Sequence, residues 1–340
     1  MGEQRLPEAA AAYLCGDIGG THTRLQLGVV SGGVSKPLLE RVYASGDYPS
    51  LAAVVQAFLA HPQAQGVRER LAGASFAVAG PVQDGSVRFT NLPWRVEAAG
   101  LAAELGVPRV EVMNDFVAAA YGLEGLGDAD RVTLQAGSAA PRGARVVLGA
   151  GTGLGVAGLV WTEGGYTAVA SEAGHMDFAP LGPQQAGLRE ALAHRFGRVS
   201  FERVLSGSGL EAAYTYFQQQ AGGHPLRRSA AEIAEAALAG QDPVANQALE
   251  LFVAVYGAFA GDLALAFLAT GGVYVAGGIA PKILPRLQSA TFLEPFRAKG
   301  RFTGLLSSVP VYVVTNDKVG LLGASRRAAA LARAVRQPPA

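Results

Sequence analysis

Cysteine is almost absent. Cys15 is the only one in 340 residues, so no internal disulfide can form and no cysteine cluster exists for a structural zinc site. A reducing, cytoplasmic setting fits that usage. An excess of one charge is lacking too. The 28 Lys plus Arg against 27 Asp plus Glu leave a formal net charge of +1, without the basic surplus of a general nucleic-acid binder. No nucleic-acid partner is expected. The opening residues, MGEQRLPEAA, lack the basic and apolar regions of a signal peptide, and Leu6 stands where a myristoylation motif wants Ser or Thr. Long uncharged runs are scarce: the one membrane candidate, Leu263 to Pro281, is cut by the Gly pairs 271–272 and 277–278 into helix end, turn, strand and turn. No membrane partner is expected.

Apolar residues make up 50% of the chain and charged ones only 16%, the balance of a globular protein. The 45 glycines are roughly twice the usual share, so many must serve turns. Short β-type runs at 13–17, 24–30, 73–79 and 109–113 alternate with helical patterns at 49–60 and about 95–105. This is the pattern of an α/β domain. A second set of strands is expected at 144–149, 155–161 and 166–170. It is followed by mostly helical sequence over 183–268, strands at 272–276 and 309–314, and a closing helix from about 319. LCGDIGGTHTRLQLGVV (14–30) and VLGAGTGLGVAGLV (147–160) share a plan of strand, Gly-rich turn and strand, which suggests two related halves. GLEGLGDADR, from Gly122, is the hinge candidate.

Three glycine turns carry the chemistry. Gly16-Asp17-Ile18-Gly19-Gly20-Thr21 joins two apolar strands; its glycines allow close backbone approach and positive φ, and its N–H groups could face phosphate. Asp17 could hold a hydrated magnesium ion there. The same residues also read as an ordinary hairpin. Gly149 to Gly155 is a second such turn, carrying Gly151, Thr152 and Gly153 but no carboxylate. Strand residues follow it, against a dinucleotide fingerprint, and no GxxxxGK[ST] run exists for a P-loop. Gly277-Gly278 follows a strand and precedes a helix; a flat base or a bland turn fits it equally. Asn114-Asp115 ends one strand and opens a helix, which reads as a cap or as a carboxylate at a strand's ligand-binding end. Glu172 and His175 share a short loop without a third metal ligand, and Glu202 looks like a charged residue early in a helix.

In their order along residues 13–325, these motifs resemble the bacterial glucokinase family, within the superfamily of hexokinase, actin and heat-shock ATPases. LCGDIGGTHTRL and LGAGTGLGVA resemble its two phosphate motifs, VMNDF its catalytic segment, SEAGHMDFAP and RVSFERVLSGSGL its sugar segments, and GGVYVAGGIAPK its adenosine motif. MDFAP, without cysteine, follows His175, so the chain is similar to the zinc-free branch; Ala173 stands where the family often has Gly. The resemblance implies two RNase H-like (actin-like ATPase) α/β domains with an interdomain active-site cleft. These would be residues 1–122, rejoined by a C-terminal helix at about 317–340, and 123–316. It implies ATP-dependent phosphorylation of D-glucose at the 6-hydroxyl, with ATP and Mg2+ and without zinc. Asp115 would be the base, and Asn114, Asp115, Glu172, His175 and Glu202 the sugar ligands. Gly16 to Thr21, Gly151 to Gly153, Gly277 and Gly278 would be the nucleotide cradle, and a homodimer the assembly. A kinase for another hexose or hexosamine, and an actin-like ATPase without a sugar, are the alternatives.

Overall fold

The structure is a computed structural model that describes residues 10–32, 34–89, 92–222 and 226–336. The MGEQRLPEA segment and residues 337–340 of the expected C-terminal helix lie outside the described residues. The chain divides into a first unit, running to Gly125 and resuming at Lys318, and a second unit, Leu126–Asp317.

The first unit is built on a five-stranded sheet of β1 (Ala11–Ile18), β2 (His22–Ser31), β3 (Val34–Ala44), β4 (Leu71–Val78) and β7 (Val110–Asn114), in the order β3-β2-β1-β4-β7. A small hairpin, β5 (Ser86–Arg88) and β6 (Arg95–Glu97), stands apart from it. β1, β2 and β3 form an antiparallel meander, whereas β4 and β7 run parallel to β1. β4 is buried along its whole length, as expected of a strand covered on both faces. One face packs on α1 (Leu51–Leu59), α2 (Pro62–Arg68) and α3 (Ala98–Leu105), around Phe58, Phe76 and Trp94. Residues 95–97 are thus strand, and the expected helix begins only at Ala98. The other face carries α4 (Asp115–Gly122) and the C-terminal helix Val319–Arg336. These two helices approach so closely that a Cβ on Gly323 would fall 1.7 Å from the Ala118 carbonyl oxygen, a position only glycine can fill.

The second unit repeats the plan. Its sheet contains β8 (Arg131–Gln135), β9 (Arg145–Ala150), β10 (Leu154–Thr162), β11 (Gly165–Ser171), β12 (Gly272–Ala276) and β13 (Val311–Val314), ordered β11-β10-β9-β12-β13-β8. The meander β9-β10-β11 and the parallel β12 and β13 match β1-β2-β3, β4 and β7 in order and direction; β8 is an added antiparallel edge. Its helices are α5 (Gly182–Phe196), α6 (Gly207–Gln220), α7 (Ala230–Leu238), α8 (Pro243–Ala266), α9 (Leu284–Leu287), α10 (Ala290–Arg297) and α11 (Thr303–Ser308). α8 is the spine of the core. It buries Phe252, Tyr256 and Phe259 completely, each a gain of roughly 1.5–3 kcal/mol over exposure. Among the described residues it is the one helix long and apolar enough to cross a membrane, and 78% of its apolar window is buried inside the protein. The uncharged run after Leu263 holds its last turn and β12.

Candidate active site

In the first unit, β1, β4 and β7 are parallel and end level: Ile18 pairs with Val78, and Val78 with Asn114. Asp17 and the Asn114–Asp115 pair therefore share the carboxyl edge of the sheet, where open α/β sheets take ligands. A Cβ on Gly320, in the first turn of the C-terminal helix, would lie 3.9 Å from the Asp115 carbonyl oxygen and 4.0 Å from Asp17 Oδ2. The positive end of an 18-residue helix thus borders both residues, a favourable field for anionic groups.

The β1–β2 turn is pinned from beneath. Gly19 N–H donates to the His22 carbonyl at 2.9 Å, and Ser45 N–H to the Thr21 carbonyl at 2.9 Å. Ser45 Oγ donates to the Gly19 carbonyl at 2.9 Å, which leaves its oxygen to accept from Thr23 Oγ1, also 2.9 Å away. Ser45 and Thr23 are fully buried, while Gly20 and Thr21 are exposed. Neither Gly19 nor Gly20 takes the positive φ that their type allows, so close approach is what these glycines supply. Gly16 has a packing role, since a Cβ there would sit 2.8 Å from Leu25 Cδ2, and the Ile18 side chain is buried. Only the backbone of these two can reach a ligand.

Asn114 is the N-cap of α4. Its Oδ1 accepts from Phe116 N–H at 2.8 Å and Val117 N–H at 3.4 Å, and its Nδ2 donates to the Gly80 carbonyl at 3.0 Å. One amide hydrogen remains for a ligand. Asp115, the first helical residue, accepts from Phe116 N–H at 3.0 Å through Oδ1. The capping role that the sequence left open between the two belongs mainly to Asn114.

In the second unit, the remaining predicted residues gather around the β9–β10 turn. Gly151 N–H donates to the Gly153 carbonyl at 2.8 Å, and Gly207 N–H, at the start of α6, to the Gly151 carbonyl at 2.9 Å. The buried Tyr256 hydroxyl accepts from Ala150 N–H at 2.9 Å, and burial pushes the pKa of that hydroxyl up, so it stays neutral. β12 and β9 pair through Ala276 and Gly149, and Ile279 N–H reaches the Ala150 carbonyl at 3.2 Å. Gly277 takes φ +82°, and a Cβ there would meet that carbonyl at 2.6 Å. Gly151–Gly153 and Gly277–Gly278 are thus one surface, with Thr152, Gly277 and Gly278 exposed.

Glu172 and His175 flank a single 3-10 turn after β11, with His175 N–H donating to the Glu172 carbonyl at 2.9 Å. Gly174 seats this turn on β10: a Cβ there would fall 2.1 Å from the Leu154 carbonyl oxygen. Met176 and Phe178 exchange backbone hydrogen bonds with Val199 and Phe201, at 2.9 Å each, which brings the Glu202 segment alongside. Glu202 Oε2 then accepts from Leu154 N–H at 3.0 Å. Glu172 and His175 are exposed and Glu202 half-buried, and the ties of Gly174 and Glu202 to Leu154 bring their segments together beside the β9–β10 turn. A separate cavity of about 620 Å³ between α5 and α6, bordered by Arg195, Glu211, Tyr216 and Arg228, includes none of the predicted residues.

Sequence reasoning missed Ser45, Thr23, Tyr256 and Gly207. Ser45 and Tyr256 lie far along the chain from the turns they hold, and no spacing rule signals them. Gly207 lies in LSGSGL, a segment singled out for its sugar motif.

Among the described residues no group of three or more His, Cys, Asp or Glu is placed to hold a metal ion. Magnesium at the Asp17 edge would draw mostly on phosphate oxygens and water, a donor set it favours, and Asp17 fits as the single protein carboxylate.

A model of the glucokinase family matches residues 14–331. A glucokinase of Synechocystis is 43% identical over 345 residues, covering 92% of this chain and 96% of that protein. The crystal structure of a glucokinase from an Antarctic psychrotroph superposes with a TM-score of 0.84 at 33% identity, over 93% of this chain and 98% of the other. A ROK family glucokinase from Streptomyces griseus, solved in complex with glucose and AMPPNP, superposes at 0.58 with 25% identity, over 94% and 99%.

Proposed function

The chain belongs to the glucokinase family, and we propose that it transfers the γ-phosphoryl group of ATP to the 6-hydroxyl of glucose, with Asp115 as the base. The sugar oxygen attacks the γ-phosphorus, its proton passes to the Asp115 carboxylate, and ADP leaves. Asn114, with its free amide hydrogen, Glu172, His175 and Glu202 hold the sugar hydroxyls. Within the two glycine turns, where Gly19 and Gly151 N–H are already bonded, the N–H groups of Gly20, Thr21, Thr152 and Gly153 receive the phosphates, and Gly277–Gly278 borders the base. Asp17 would hold magnesium at the carboxyl edge of the first sheet, and the ion would supply charge neutralisation of the phosphates. Phosphoryl transfer depends on positioning and charge stabilisation, and this set of groups supplies both.

The observation that carries this reading is the gathering of Glu172, His175 and Glu202 beside a glycine turn whose exposed face offers backbone N–H groups. An ATPase without a sugar substrate has no use for the exposed Glu172 and His175. A homodimer and cytoplasmic residence complete the proposal; they rest on the family resemblance and, for the compartment, on the lone buried thiol.

Replacing Asp115 by Asn tests the base. The variant keeps an acceptor for Phe116 N–H and leaves the Asn114 cap untouched, so its unfolding midpoint should match the parent's. Turnover with saturating glucose and ATP should fall roughly 10² to 10⁴ fold. Normal turnover in a normally stable Asp115→Asn protein removes this residue from the mechanism.

A further inference from the structure

The sugar and nucleotide groups of the second unit are bonded to one another through a single carboxylate. Glu202 Oε2 accepts from Leu154 N–H, the residue that closes the Gly151–Gly153 turn. It is also packed so tightly on that turn that a Cβ on Gly153 would fall 2.7 Å from the same oxygen. The other oxygen, Oε1, has no hydrogen-bond partner among the described residues. One oxygen thus fixes the turn while the other is open to a ligand. The turn itself has few other ties: Gly151 bonds to Gly153 within it and to Gly207, and Thr152 is exposed.

We propose that Glu202 is a positioning residue for the nucleotide turn, and that through it the presence of sugar and the affinity for nucleotide are coupled. The proposal rests on the reading of Glu202 as a sugar ligand. Sugar bound at Oε1 restrains the carboxylate, and the restrained Oε2 holds Leu154 N–H and the adjoining turn in the form that receives phosphate. The linkage is reciprocal: nucleotide on the turn must favour sugar by the same factor.

The test is calorimetric titration of the whole protein with MgADP, with and without saturating glucose, and with glucose alone. Glu202→Ala should weaken sugar-free MgADP binding by about 3- to 10-fold, the worth of one lost hydrogen bond to the turn. It should also abolish the enhancement of MgADP affinity by glucose. Glu202→Gln retains an acceptor for Leu154 N–H, so its sugar-free MgADP affinity should return to that of the parent while glucose binding stays weakened. Glu202→Asp, one methylene short of Leu154, should behave as the Ala variant towards MgADP and serves if that variant folds poorly. Gly153→Ala displaces only the end of a flexible side chain, so it should fold yet bind glucose more weakly, although Gly153 is assigned to nucleotide. Weakened glucose binding by Glu202→Ala with unchanged MgADP affinity and unchanged coupling overturns the proposal and leaves the sugar-ligand reading standing. Unchanged glucose binding by that variant overturns the sugar-ligand reading itself.

Discussion

Asn114 and Asp115 divide two tasks between adjacent side chains. The amide of Asn114 caps α4 and bonds the Gly80 carbonyl with one of its two hydrogens, whereas the Asp115 carboxylate accepts from Phe116 N–H and is the group of the pair that can take a proton. The sequence could name both residues, because Asn-Asp at a strand end is conspicuous, but not which of them caps. That assignment is a matter of φ/ψ at one peptide. Glu172 and His175 were equally visible from their segment, while their seat on Leu154 through Gly174 was not. Their exposure and the lack of a third ligand make sugar binding, not metal binding, the expected role. Replacing either by Ala should weaken glucose use by about 1–3 kcal/mol per hydrogen bond removed. Stoichiometric zinc in the purified protein, lost along with activity in His175→Ala, would contradict that reading. Cys15 is inert by placement: burial pushes its thiol pKa well above the usual range.

At the scale of elements, strands with alternating or continuous apolar residues were legible, the edge strands β7 and β11 among them, expected at 109–113 and 166–170, whereas the edge strands β3 and β8 were not. β3, VSKPLLERVYA, is largely exposed and contains Pro37 and three charged residues, Lys36, Glu40 and Arg41, which protect the edge, so no hydrophobic pattern marks it. β8 is short, on the opposite sheet's edge, and only partly buried. Helix ends carry their own signals, and α8 shows one that bears on stability. Asp242 Oδ1 accepts from Val244 and Ala245 N–H at 2.9 and 3.1 Å, and Oδ2 from Tyr214 at 2.7 Å and Arg228 at 3.0 Å. Burial alone would raise its pKa; the bonds from Tyr214 and the two backbone amides, with the Arg228 charge, outweigh that and hold it below the ordinary carboxylate value. A depressed folded-state pKa gives stability that is present above the unfolded value near about 3.9 and lost as pH falls through the folded one. Asp242→Ala should therefore cost about 1–2 kcal/mol at neutral pH through loss of the cap, measured by denaturant unfolding. The difference from the parent should narrow as the pH is lowered below about 4.

Across the whole chain, the echo between the first and second glycine turns proves to be part of a larger repetition. Both sheets run third-second-first-fourth-fifth strand with the same directions, and in each the glycine turn joins the first two strands. Hydrophobic patterning and glycine spacing disclosed the two hairpins and the order of the motifs. The bonds that fasten the turns, from Ser45 to Gly19 and from Glu202 to Leu154, span 26 and 48 residues and depend on tertiary packing that no local pattern encodes. The central claim is that this apparatus serves phosphorylation of glucose, and it is tested most directly by incubating the protein with ATP, magnesium and a panel of hexoses and hexosamines, and identifying the phosphorylated product and its position by NMR. The account predicts that ATP is consumed only when sugar is present, with glucose the preferred substrate and glucose 6-phosphate the product. ATP hydrolysis at an equal rate without sugar, or a kcat/KM for another hexose or a hexosamine far above that for glucose, would contradict it.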